Sequence, residues 1–131
     1  MTTTKLLEGK KALITGSRRG IGAGIARMFA EHGADVGIND VARDTEADKT
    51  MASINSLGQK ASWHQADVGN TEDRTRLLDE FVASHGRIDI LVNNAGHSSK
   101  VRSVRWISRE EFDSVYEYHI VPSDDVTLKY A

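Results

Sequence analysis

Short apolar runs, each closed by glycine or polar residues, alternate with segments of helical period through most of this chain. KALITG, Lys11 to Gly16, reads as a buried strand. The next segment, Gly22 to His32, is helical in period. Ile21, Ile25, Met28 and Phe29 make its apolar stripe, and Gly33 stops it. ADVGIND, Ala34 to Asp40, is a second apolar run. Thr45 to Leu57 reads as a helix with Met51, Ile54 and Leu57 on one face, ended by Gly58. Ala61 to Ala66 is a weaker third strand. Thr71 to His85 is a strong helix: Thr71 is its expected N-cap, acids crowd its first turn, and Leu77, Leu78, Phe81 and Val82 form the stripe. After Gly86, RIDILVNNAG, Arg87 to Gly96, supplies a fourth strand, nearly all apolar until its asparagines. Apolar runs rather than strict alternation mean that both faces of the sheet are covered. The expected fold is therefore α/β, a parallel sheet with helices on both faces.

Beyond Gly96 the pattern changes. Lys100, Arg102, Arg105 and Arg109 precede the first acid, Glu110, in a loop-like stretch. Ser108 is a candidate cap for a further helix with Glu110 and Glu111 in its first turn. Pro122, the only proline, ends whatever precedes it, and the last residues have no clear period.

Composition narrows the classes. At 131 residues the chain fits one domain, expected over residues 1–131 with an atypical tail over 116–131. With 39% hydrophobic and 27% charged residues it is globular in type. A net charge of −2 asks for neither nucleic acid nor an anionic membrane as partner. The absence of cysteine excludes disulfides, thiolate metal sites and cysteine nucleophiles. No apolar segment approaches the ~20 residues of a membrane span, and MTTTKLLEGK lacks a signal peptide's apolar run. A cytoplasmic protein is expected.

The chemistry is concentrated in TGSRRGIG, Thr15 to Gly22. Glycines in a strand-to-helix turn permit unusual backbone angles and let a ligand approach the main chain. The helix behind them offers unpaired N–H groups and a positive dipole end, which favour a pyrophosphate. Gly16, Gly20 and Gly22 follow a strand, open a helix, and precede a second strand ending in Asp40. A carboxylate there suits the adenosine ribose of a dinucleotide and repels the 2′-phosphate of NADP, which favours NAD. Arg18, Arg19 and Arg43 pull the other way, as cations near the same point.

TGSRRGIG, Asp40, ADV (Ala66 to Val68) and NNAG (Asn93 to Gly96) together resemble the short-chain dehydrogenase/reductase family, over about Leu7 to Val115. The resemblance implies a Rossmann-like three-layer αβα fold, with about four strands in the order 3-2-1-4, and NAD(P)-dependent oxidation or reduction of an alcohol or carbonyl. It implies that Gly16, Ser17, Arg18, Arg19, Gly20, Ile21 and Gly22 hold the pyrophosphate and neighbouring riboses. Asp40 would take the adenosine ribose, and Asp67 and Val68 the adenine. Asn94, Ala95 and Gly96 would lie beneath the nicotinamide ribose. The NNAG turn also braces the sheet, with Thr15 expected to bond across to it.

The family's catalytic Tyr-x-x-x-Lys pair has no counterpart. Tyr116 is followed four residues on by Ile120, Tyr118 by Pro122, and Tyr130 stands next to the end. Ser98 and Ser99 come too early for the family's serine, and His119 stands where relatives usually carry asparagine. The sequence therefore reads as the cofactor-binding half of a dehydrogenase, cut short. Its fourth strand would be an exposed edge open to self-association. Three readings follow: an oxidoreductase with substitute groups such as His119, a dinucleotide-binding module without catalysis, or a non-functional fragment. His32, His64, His85, His97 and His119 show no metal-ligand spacing and are expected at the surface or at helix ends. Trp63 and Trp106 are expected to pack, and the charges from Glu72 to Glu80 to form a solvated helix face.

Overall fold

The computed structural model describes residues 4–96 and 108–116. Strand β1 (Lys11–Ile14) is followed by α1 (Gly20–Glu31), β2 (Asp35–Asp40), α2 (Thr45–Ser56), β3 (Ala61–Gln65), α3 (Thr71–His85) and β4 (Ile90–Val92). The strands form one sheet in the order β3-β2-β1-β4. All three pairings are parallel, with Leu13 opposite Gly37 and Leu91, and Ile38 opposite Ile14 and Trp63. This is the expected Rossmann-like order.

Adjacent residues of β1 point to opposite faces. Leu13 joins Ala66, Val68, Leu77, Leu78 and Phe81 beneath α3, while Ile14 joins Ala26, Ala30, Val36, Ile38 and Ile54 beneath α1 and α2. The sheet is thus covered twice, which is why its strands are apolar throughout.

Several local expectations need correcting. The inward face of α1 is Gly22, Ala23, Ala26 and Ala30, not the bulky stripe. Ile21 and Met28 are 79% and 53% exposed, and Ile25 and Phe29 pack only at the rim of the core. Small residues let this helix lie close to the strands, so its period is carried by alanine and glycine rather than by large side chains. Leu57, placed on the buried face of α2, is exposed, whereas Ala47 and Thr50 are buried beside Ile54. Asn70, not Thr71, caps α3, its side chain accepting from Asp73 N. Arg74 is buried within the stretch read as a solvated face, and its guanidinium donates to the Val68 carbonyl at 2.8 Å.

Ser108 does cap the helix over 109–116, its hydroxyl accepting from Glu111 N at 3.1 Å. His97, the basic stretch through residue 107 with Trp106, His119, and the tail beyond Tyr116 lie outside the described residues.

Candidate functional site

The glycine loop leaves β1 at the carboxyl end of the sheet and reaches α1 through two left-handed positions, Gly16 and Gly20, both at φ +62°. A side chain at Gly16 would also meet the Ala95 backbone at 2.7 Å. At Gly22, in the first turn of α1, a Cβ would lie 2.5 Å from the Gly16 carbonyl and 2.7 Å from Asn94 Nδ2. The loop is therefore folded down on itself and onto the NNAG turn, at contacts only glycine allows.

The expected Thr15 brace is present. Asn94 N and Ala95 N both donate to Thr15 Oγ1 at 3.0 Å. Asn94 Nδ2 donates in return to the Thr15 and Gly16 carbonyls, each at 3.1 Å. Asn94 thus ties the end of β4 to the start of the loop.

A second tie was not anticipated. Asn39, next to last in β2 and 1% exposed, accepts from Gly16 N through Oδ1 at 3.2 Å. Its Nδ2 donates to the His64 and Ala66 carbonyls at 3.0 and 3.2 Å. Its own N–H donates to Ser17 Oγ, and its carbonyl accepts from Ser17 N at 2.7 Å. One amide therefore links the loop to β2 and to the end of β3. The only signal in the sequence was a polar residue inside an apolar run, immediately before the terminal acid.

Ser17 is fully buried in consequence. Its hydroxyl donates to the Ile14 carbonyl at 2.7 Å and faces away from the cleft. Gly16, Arg18, Arg19, Gly20, Ile21, Gly22, Asp40, Asn94, Ala95 and Gly96 do come together, with Val41, around an open cleft of about 420 Å³. Val68 packs beneath α3, its carbonyl taken by Arg74. Asp67 is exposed at the end of β3, with Oδ1 accepting from Gly69 N at 2.8 Å.

At the β2 end of the cleft the charges are paired. Arg18 Nε lies 3.4 Å from Asp40 Oδ2, and its Nη1 donates to Asp44 Oδ2. Asp44 also caps α2, accepting from Ala47 N through Oδ1 at 3.0 Å. That N–H, and then the Arg18 charge, hold the Asp44 carboxyl below the usual carboxylate range. Arg43 pairs with Asp48 at 2.8 Å and sits over the Trp63 ring. Arg19 is exposed on the cleft, and none of the ion pairs among the described residues includes it.

The arrangement fits an extended anion with sugar groups. Helices α2 and α3 are capped by Asp44 and Asn70, but α1 has no side-chain cap and no acid in its first turn. Its free N–H groups open on the cleft, where a phosphate can accept from them. The cradle at Gly16 and Gly22 brings backbone, not side chains, to that point. No cluster of three or more His, Cys, Asp or Glu suited to a metal occurs among the described residues. Nor is any described helix long and apolar enough to cross a membrane.

Elsewhere, His64 is a buried strand residue rather than the surface or helix-end group expected. Ser62 Oγ lies 2.7 Å from Nε2 of both His64 and His85. A single hydroxyl proton serves one ring, so the other ring must be the donor. Burial, and then the nearby Lys60 ammonium, push His85 down to about 4; burial also lowers His64 against the pull of Glu80. The remaining charges facing the pair are Asp35 and Lys11. The unfolded chain protonates near 6.5 and the folded one lower, so stability is complete above pH 6.5 and declines as pH falls toward 4. Urea melts at stepped pH are expected to show that decline, and His85→Gln to flatten it; an equal slope in the variant would refute the assignment.

A family model described as short chain dehydrogenase matches residues 10–124. The chain is 41% identical over 113 residues to a probable tetrahydroxynaphthalene reductase of Zymoseptoria tritici, covering 86% of this chain and 42% of that relative. A short chain dehydrogenase from Burkholderia cenocepacia, solved in complex with NADP, superposes with a TM-score of 0.87 at 34% identity, over 93% of this chain and 49% of that one. An NAD⁺-bound xylitol dehydrogenase superposes at 0.88 with 28% identity, over 96% of this chain and 48% of that one. The chain thus spans about half the length of the proteins it resembles, or less.

Proposed function

The chain belongs to the short-chain dehydrogenase family, and from that premise we propose that its cleft binds a nicotinamide dinucleotide, NAD in preference to NADP. The observation that carries the preference is the Asp40 carboxylate on the cleft wall. A carboxylate accepts hydrogen bonds from ribose hydroxyls and repels a phosphate in the same place. Neighbours of both cofactor types exist, one bound to NADP and one to NAD⁺.

The residues then divide the ligand among them. The first turn of α1 and the amides of Gly20, Ile21 and Gly22 hold the pyrophosphate. Asp40 takes the adenosine ribose, with Asp67 and the Val68 backbone at the adenine. Asn94, Ala95 and Gly96 support the nicotinamide ribose. Ser17 contributes by shaping the loop from below.

When bound, the dinucleotide supplies or accepts the hydride, and an alcohol or ketone is the partner in the whole protein. No Tyr-x-x-x-Lys pair occurs in these 131 residues, so no catalytic residue is assigned to them. Saturable binding without turnover is expected of this chain by itself. Self-association along β4, whose one strand partner among the described residues is β1, belongs to the same proposal.

Fluorescence titration with NADH and NADPH tests the reading. NADH is expected to bind tighter by about tenfold, the ratio that ~1.4 kcal/mol produces. Tighter NADPH would mean that Arg18 and Arg19 outweigh Asp40. Binding of neither nucleotide would remove the proposal.

A further inference from the structure

An N-cap needs one acceptor oxygen. Asp44 gives Oδ1 to that task, accepting from Ala47 N at 3.0 Å, and turns Oδ2 to the Arg18 guanidinium. Asparagine or serine would cap α2 equally well; only an acid also holds the arginine. Arg18 is fixed at its other end by the same helix, because Thr50 Oγ1 donates to its carbonyl at 2.7 Å. Its Nε is buried without a hydrogen-bond partner, 3.4 Å from Asp40 Oδ2. Two acids thus bracket one cation at the β2 end of the cleft. Of the three arginines there, Arg43 is engaged by Asp48 and Trp63, and Arg19 is exposed on the cleft and in none of the ion pairs among the described residues.

We propose that Asp44, acting through Arg18, is a positioning residue that sets the preference between NAD and NADP. It holds the guanidinium against the two carboxylates, where it orients Asp40 toward ribose hydroxyls and is withheld from a 2′-phosphate. A 2′-phosphate must draw Arg18 from Asp44 before it gains a cation, and it meets Asp40 uncompensated if it does not. The inference rests on the dinucleotide reading of the cleft and adds a residue that does not itself line it. Without Asp44, Arg18 keeps Asp40 as its one remaining acid, its terminal nitrogens are released, and they can form the bidentate phosphate contact that guanidinium geometry favours.

The test is a set of NADH and NADPH titrations on the unmodified chain, Asp44→Asn, Asp44→Ser, Arg18→Met and the Asp44→Asn/Arg18→Met pair. Both Asp44 variants keep a capping group, and methionine keeps much of the arginine stem's packing. Thermal melts show that each is folded. Asp44→Asn and Asp44→Ser are expected to raise the ratio of NADPH to NADH affinity by about two- to fivefold, as for loss of one partly screened ion pair. The gain is expected to vanish when Arg18 is also replaced. An unchanged ratio overturns the inference. So does a gain that survives without Arg18, which would be simple removal of a negative charge, or an equal weakening of both nucleotides, which would be loss of the cap. If the unmodified chain binds neither nucleotide, the reading beneath fails and this one with it.

Discussion

Gly22→Ala is expected to abolish measurable dinucleotide binding and to cost about 2–3 kcal/mol of stability, the upper range for overpacking. The added methyl would sit 2.5 Å from the Gly16 carbonyl and 2.8 Å from Ser17 Cα, both backbone atoms. Neither can rotate away. Its third neighbour, Asn94 Nδ2 at 2.7 Å, is held by the Thr15 and Gly16 carbonyls. Relief therefore requires the loop to lift from the NNAG turn, and this displaces the amides that face the cleft. An internal control lies two residues on. Gly24 is exposed in the same helix, with nothing within 4 Å of an added Cβ. Gly24→Ala is expected to stabilise by up to about 1 kcal/mol through helix propensity alone, with NADH binding retained. Urea melts and NADH titrations of the two variants read both effects. Equal behaviour of the two would show that the close contact at Gly22 has no energetic weight.

The contrast between these glycines also shows what could be read along the chain and what could not. The strands, the order of elements and the glycine loop were legible because backbone geometry constrains them. Parallel strands buried on both faces must be apolar, and a tight strand-to-helix turn must spend glycines. Asp40 was legible because it ends such a run. The inward face of α1 was misread because alanine and glycine carry little hydrophobic signal, yet their smallness brings the helix onto the sheet. His64 and Arg74 were misread because a buried polar group depends on partners far along the chain. His64 meets His85 through Ser62, and Arg74 reaches the Val68 carbonyl. The Arg18, Asp40 and Asp44 cluster likewise joins a loop, a strand end and a helix cap, and no single spacing announces it.

Asn39 is the strongest case of such long-range dependence, and Asn39→Ala is expected to cost about 3–4 kcal/mol. The truncation removes the acceptor for Gly16 N and the donors to the His64 and Ala66 carbonyls. Each buried group left without a partner costs roughly 1–3 kcal/mol. Against a whole-domain stability of about 5–15 kcal/mol that is a large share. The backbone bond from Ser17 N to the Asn39 carbonyl survives, so the loop stays attached while losing its register. NADH affinity should fall with it, since Gly16 opens the cleft. Asn39→Asp separates shape from hydrogen bonding. The isosteric carboxylate would face two carbonyl oxygens in a buried position, which raises its folded pKa above the unfolded value of about 3.9. A raised folded pKa means that the acid's neutral form is the stabilised one. The Asp variant should be weakest at neutral pH and should recover relative to wild type as pH falls through that window. Urea melts at pH values on either side compare the three proteins. If Asn39→Asp matched wild type at neutral pH, the amide could not be donating to those carbonyls, and the loop would have to be held by the Thr15 and Asn94 bonds and by the Ser17 bonds to the Asn39 backbone.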